Sequence, residues 1–172
     1  NLFNIMTVHS IISRGYSGNS LYDKCNFMRT TKYNVNGLVF NLLEIEHNIL
    51  RAQTASPSSF LAPLMSISEK SPKARYALHR PVPLISFSIF LACSSSPVLT
   101  ILWDPSCVDT ELKKVANLYI LTHSRVDRSN KILYLPELLK WYSKDFGGTT
   151  KNILTNVLQF ISKDTSLYED IT

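Results

Sequence analysis

Apolar positions recur at helical spacing in four parts of the chain. Residues 2–13 place Leu2, Ile5, Met6 and Ile12 on one stripe, and Gly15 ends the pattern. A second stripe follows Asn41 and carries Leu42, Ile45, Ile49 and Leu50. Leu112, Val115, Ala116 and Tyr119 define a third helix over 110–121, and Leu154, Val157, Leu158 and Ile161 a fourth. Pro136 is suited to open a further helix and Gly147 to follow its end. Two hairpins are predicted, one turning at Asn36-Gly37 and one in "RVDRSNKILYLP" near Ser129-Asn130. Few strands, several helices and no regular βαβ alternation predict a single α+β domain over 1–172. Its small mixed or antiparallel sheet is packed by several helices.

Two stretches break the periodic pattern. Residues 52–83 hold five of the eight prolines and read as a long irregular loop. "PVPLISFSIFLACSSSPVLTILW", residues 81–103, has no formal charge and is long enough to span a bilayer. Pro81, Pro83, Pro97 and the polar "CSSSP" centre argue against a membrane helix. Two buried strands, 84–92 and 98–103, are expected instead. Residues 164–172 form an acidic tail.

Composition narrows the function classes. The 172 residues are 45% hydrophobic and 18% charged, enough for a sizeable core. The net charge of +5 is scattered, and its densest group (Lys70, Lys73, Arg75 and Arg80) sits in the irregular loop. This is not the footprint of a sequence-specific nucleic-acid reader. Cys25, Cys93 and Cys107 are odd in number and form no CxxC pair, which points to a reducing, intracellular, cytoplasmic setting. His9, His47, His79 and His123 are too dispersed to suggest a metal site. G-x-S-x-G, H-E-x-x-H and Gly-rich phosphate motifs are absent, and "DFG" at 145–147 lacks the rest of a kinase signature. No cofactor is expected. The chain opens inside a helix without an initiating Met, so it is expected to be an N-terminally truncated fragment whose partners are proteins or flanking domains.

The densest candidate chemistry lies in "LLEIEHNILR", residues 42–51. Asn41 and Glu44 have the spacing of a capping box. At about 100° per residue, Glu46 projects from the middle of the apolar stripe, while His47 and Arg51 fall on the outer side. The same construction puts His9 inside the first stripe. Glu46 and His9 are therefore expected to face each other, directly or through a polar group such as Asn1. They belong to a polar core of Asn1, Asn4, His9, Glu46, His47 and Arg51. A structural hydrogen-bond network is the reading weighed highest for that core. The competing reading is a degenerate hydrolase-like site, with His9 as base, Glu46 orienting it, and Cys93 or Ser96 as nucleophile. Trp141 and Tyr142 are a weaker candidate contact pair, for which core packing is the commoner explanation.

The order of motifs resembles one known family. "NLFNIMTVHSII", "NVNGLVFNLLEIEHNILR", "ISFSIFLACSSSPVL" and "LYLPELLKWYSKDFG" follow the pattern of domain-of-unknown-function family 547. That family carries an N-L-Y-N helix, an I-E-H-x-I-L-R helix, an I-H-F-A-L strand leading into S-S-P or S-C-P, and a late W-Y-x-x-D-F-G helix. The resemblance implies an intracellular module found in larger proteins, without an assigned activity. Ser86 stands where the family places His, and Ser96 where it often has Cys before Pro. Cys93 falls on a position that is not the family's Cys. If the family residues form a catalytic site, the resemblance implies that this copy is depleted.

Overall fold

Residues 1–15, 20–52, 67–68, 70–93 and 95–171 are described by a computed structural model of the chain. Within it the chain forms two compact units, Asn1–Val82 and Pro83–Thr172. Residues 53–66 and 69 of the predicted loop over 52–83 lie outside the described residues.

The first unit begins with α1, Leu2–Arg14, closed at Gly15 where the backbone turns to φ 70. Its buried face is Phe3, Asn4, Met6, Thr7 and Ser10, while Leu2, Ile5 and Ile12 are exposed. Of the apolar stripe expected from the sequence, Met6 alone lies on the core face. Thr7 and Ser10 donate their hydroxyls to the carbonyls of Phe3 at 2.9 Å and Thr7 at 2.8 Å. Satisfied internally, they bury like small apolar residues. Helix α2, Leu21–Thr30, was not predicted. Ser20 caps it by accepting from the Asp23 N–H, and the Ser-x-x-Asp spacing at residues 20–23 is a legible start signal.

Strands β1, Lys32–Val35, and β2, Leu38–Asn41, pair antiparallel with Val35 opposite Leu38. Asn36 and Gly37 both have positive φ, 51 and 80, as a tight two-residue hairpin requires. α3, Leu42–Glu44, follows directly, and α1 and α2 both pack on it.

In the second unit α4, Val108–His123, is the central element. A 3₁₀ segment, Pro83–Phe87, and α6, Thr150–Phe160, pack against it. Strands β3, Arg125–Asp127, and β4, Ile132–Tyr134, form the second antiparallel hairpin. Pro136 precedes α5, Glu137–Trp141, and Gly147 closes the following 3₁₀ turn at φ 88. α7, Ser166–Ile171, ends the described chain. Phe87, Tyr119, Ile120, Leu138, Phe146 and Val157 form the core of this unit. Phe87 packs against Tyr119 and Phe146 with ring centroids 5.7 and 5.6 Å apart. Tyr142 is buried and Trp141 half-buried, so this pair packs largely inward.

Helices with two small antiparallel hairpins make this an α+β protein. The expected strands 84–92 and 98–103 are absent. Residues 83–87 form 3₁₀ turns, 98–103 take no regular structure, and neither is part of a ladder. Pro81, Pro83 and Pro97 lie outside both expected strands, and the run between them folds as turns and irregular backbone around the buried anchors Phe87, Ile89 and Leu91. No helix among the described residues is long and apolar enough to cross a membrane.

Candidate functional site in the π-helical turn

The site grows directly from the first hairpin. Asn41, the last residue of β2, accepts the Glu44 N–H through Oδ1 at 2.8 Å, and Glu44 Oε2 accepts the Asn41 N–H at 2.9 Å. The predicted capping box is thus complete. The other Glu44 oxygen accepts Lys73 Nζ at 2.7 Å, and that ammonium lies 5.2 Å from the centre of the Phe40 ring. One lysine of the basic group at 70–80 therefore clasps the loop to this helix start.

The α-helical pitch lasts one turn. From Ile45 to Leu50 the backbone widens into a π-helix, and the Arg51 N–H reaches back five residues to the Glu46 carbonyl at 3.1 Å. This geometry is rare and recurs at functional sites. With fewer degrees turned per residue, Glu46, His47 and Arg51 crowd onto a narrower arc than an α-helix allows. All three are buried, at 2%, 6% and 3% exposure, and Asn48 is buried beside them. The expectation that His47 and Arg51 lie on an outer face is overturned by the change of pitch.

Donor chemistry fixes the state of the imidazole. Arg51 sits 3.0 Å from His47 Nδ1 through its guanidinium, which can only donate. Nδ1 must therefore be the lone-pair acceptor, and the proton of the neutral ring is on Nε2. That nitrogen faces Glu46 Oε1 at 3.6 Å, an ion-pair distance rather than a short hydrogen bond. Arg51, His47 and Glu46 make a polar chain of cation, neutral ring and carboxylate. Asn48 Oδ1 accepts the Ile67 N–H at 3.2 Å, tying the turn to the middle of the loop, while its Nδ2 has no hydrogen-bond partner among the described residues. Burial pushes the Cys25 thiol above its ordinary range; Lys24 opposes this and the Glu46 charge adds to it.

The remaining candidates are placed differently. His9 is exposed, with Nδ1 2.8 Å from the Tyr33 hydroxyl, which itself donates to the Met6 carbonyl at 2.8 Å. A phenol has one proton, so His9 Nδ1–H is the donor to Tyr33. His9 is thus not the inward partner expected for Glu46; that place is taken by His47. Asn4 is buried and Asn1 exposed. In the second unit Ser96 Oγ accepts the Leu91 N–H at 2.7 Å and donates to the Pro97 carbonyl at 3.1 Å. Cys93 is half-buried, with Sγ 3.8 Å from Ser95 Oγ. The Tyr119 hydroxyl donates to the Ser95 carbonyl at 2.6 Å. Burial raises the Tyr119 phenol to about 12, reinforced by Cys93 and Glu137. Ser86, where the resembled family has His, is buried. No group of three His, Cys, Asp or Glu side chains among the described residues is placed to hold a metal ion.

No curated protein and no solved structure matches the chain significantly. The profile of the family described as "Protein of unknown function, DUF547" matches residues 1–120. That span includes the hairpin, the π-helical turn and the Ser/Pro loop, whereas the W-Y-S-K-D-F-G resemblance at 141–147 lies beyond it. Matched over more than half its length, the chain belongs to the DUF547 family.

Proposed function

We propose that this domain is a non-enzymatic interaction module, acting through protein partners or flanking domains inside the cell. The observation that carries the reading is the exposed apolar segment after Pro97. Val98 and Trp103 are 72% and 78% exposed, and Leu99 and Ile101 are also exposed. Isolated apolar residues on a surface are ordinary, but four within six positions suit a contact surface, and Trp is enriched among residues that dominate binding. The hydrolase-like alternative has less support. Ser96 spends both its donor and an acceptor on backbone groups, and His9 is engaged at the surface by Tyr33.

The test is in-cell crosslinking of the chain against an Ile101→Ser/Trp103→Ser variant. The variant is expected to lose specific crosslinked partners while its thermal stability stays unchanged. The same crosslinked set from both chains would contradict the reading. Labelling with a thiol probe at neutral pH addresses the alternative, since selective modification of Cys93 over the exposed Cys107 would favour chemistry at the loop.

A further inference from the structure

We propose that the second unit carries a binding site for a small amphipathic organic anion, an oxyanion group on an apolar body. A cleft of about 780 Å³ opens between the end of α4, β3 and α7, within the size range of small-molecule sites. Leu121, Val126 and Leu167 supply apolar lining, and Arg125 and Arg128 are also among the lining residues.

These two arginines are not equivalent. Arg128 is held by Asp170 in a two-pronged pair, with Nε 2.8 Å and an Nη 3.1 Å from the carboxylate oxygens. The fork matches the carboxylate geometry, so Arg128 is satisfied and its charge is balanced. Arg125 has no ion pair among the described residues. It lies opposite Tyr134 across the hairpin, with its guanidinium carbon 4.5 Å from the ring centre. Stacking on the ring engages the face of the guanidinium and leaves its N–H edge available. Stacking also reduces the side-chain freedom lost on forming a bidentate bond. Among the lining residues, Arg125, Arg128 and Asp170 sum to one positive charge. Ser166 also lines the cleft.

The apolar lining gives the second half of the specificity. A bare inorganic ion would leave Leu121, Val126 and Leu167 unused, whereas an aliphatic carboxylate or phosphate monoester covers them while its head group meets Arg125. The site lies within the second unit and is independent of the interaction surface at 98–103.

The experiment is a methyl-detected NMR titration of the whole 172-residue chain with octanoate, octyl phosphate, octanol and inorganic phosphate. Saturable millimolar shifts of the Val126, Leu121 and Leu167 methyls are expected with one or both octyl anions; which one binds identifies the head group. Octanol and inorganic phosphate should bind at least about tenfold more weakly, as loss of a charge-assisted contact implies. Arg125→Gln should weaken octyl-anion binding by about tenfold or more, and Arg125→Lys should restore part of it. Retained amide shifts in β3 and β4 would establish that the hairpin is intact. Equal shifts with octanol, an unchanged affinity in Arg125→Gln, or no response to either octyl anion would each overturn the proposal.

Discussion

Replacing Arg51 by Met tests whether the π-helical turn is held by its buried polar chain. The side chain keeps most of its apolar length and loses the guanidinium. The direct loss is the 3.0 Å contact to His47 Nδ1, a bond from a charged donor worth about 1.5–3 kcal/mol. An indirect loss adds to it, because Arg51 holds the His47 ring whose Nε2 faces the buried Glu46 carboxylate at 3.6 Å. The predicted loss for the first unit is therefore at least about 1.5–3 kcal/mol, the worth of the charged bond. Against a typical domain stability of about 5–15 kcal/mol, this is severe but measurable. Adding Glu46→Gln to the variant should recover about 1 kcal/mol or more, since the stranded charge is removed. The assay must separate the two units. Trp103 and Trp141 both belong to the second, so tryptophan fluorescence reports nothing on the first. Urea titration followed through the methyl signals of Leu42 and Ile45 reads the first unit, with Trp141 emission as the internal control. A loss below about 1 kcal/mol, or a double variant that loses the sum of the two singles, would refute the reasoning.

Three further outcomes are expected. Asn41→Ala removes the side-chain acceptor of the capping box and should destabilise the first unit by about 1 kcal/mol, read by the same methyl signals, with no change in Trp141 emission. Gly147→Ala should destabilise the second unit by at least about 1–2 kcal/mol in a Trp141-monitored urea titration. It places a Cβ at φ +88, and that atom would sit 2.7 Å from Asn152 Cβ. Folding raises the Tyr119 phenol from 10 to about 12, so its contribution is complete below pH 10 and is lost as pH rises towards 12. The loss is about 2 kcal/mol at most, given partial solvent screening, and Tyr119→Phe should abolish it in urea titrations across that range.

Much of the first unit was legible because local chemistry dictates it. Asn36-Gly37 can turn a hairpin with both residues at positive φ, and Asn41 with Glu44 can only satisfy each other at a helix start. The π-helical pitch was not legible, since apolar periodicity is read against an α-helix and nothing in "IEHNIL" announces a wider turn. One unforeseen change of pitch moved His47 and Arg51 from the expected surface into the interior. The error at α1 has a different cause. Hydrophobicity ranked Leu2, Ile5 and Ile12 as core, but Thr7 and Ser10 could be buried because their own helix accepts their hydroxyl protons. The run 84–103 misled through composition: its apolar residues suggest strands, but Phe87, Ile89 and Leu91 are buried from turns and irregular backbone instead. In the candidate site Glu46, His47 and Arg51 are buried together, but the expected pairing of Glu46 with His9 is not formed. Glu46 meets the neighbouring His47 rather than the distant His9, and sequence spacing carries no signal for that choice.

The central claim is that Arg51 and Glu46 lock His47 as a neutral ring protonated at Nε2, inside a structural turn. Long-range proton–nitrogen NMR of the chain labelled at histidine tests it directly at neutral pH. The account predicts an unprotonated Nδ1 and a protonated Nε2 for His47, with the opposite tautomer emerging only when Arg51 is replaced. A protonated Nδ1 in the unmodified chain, whether as the other tautomer or as the imidazolium, would contradict it.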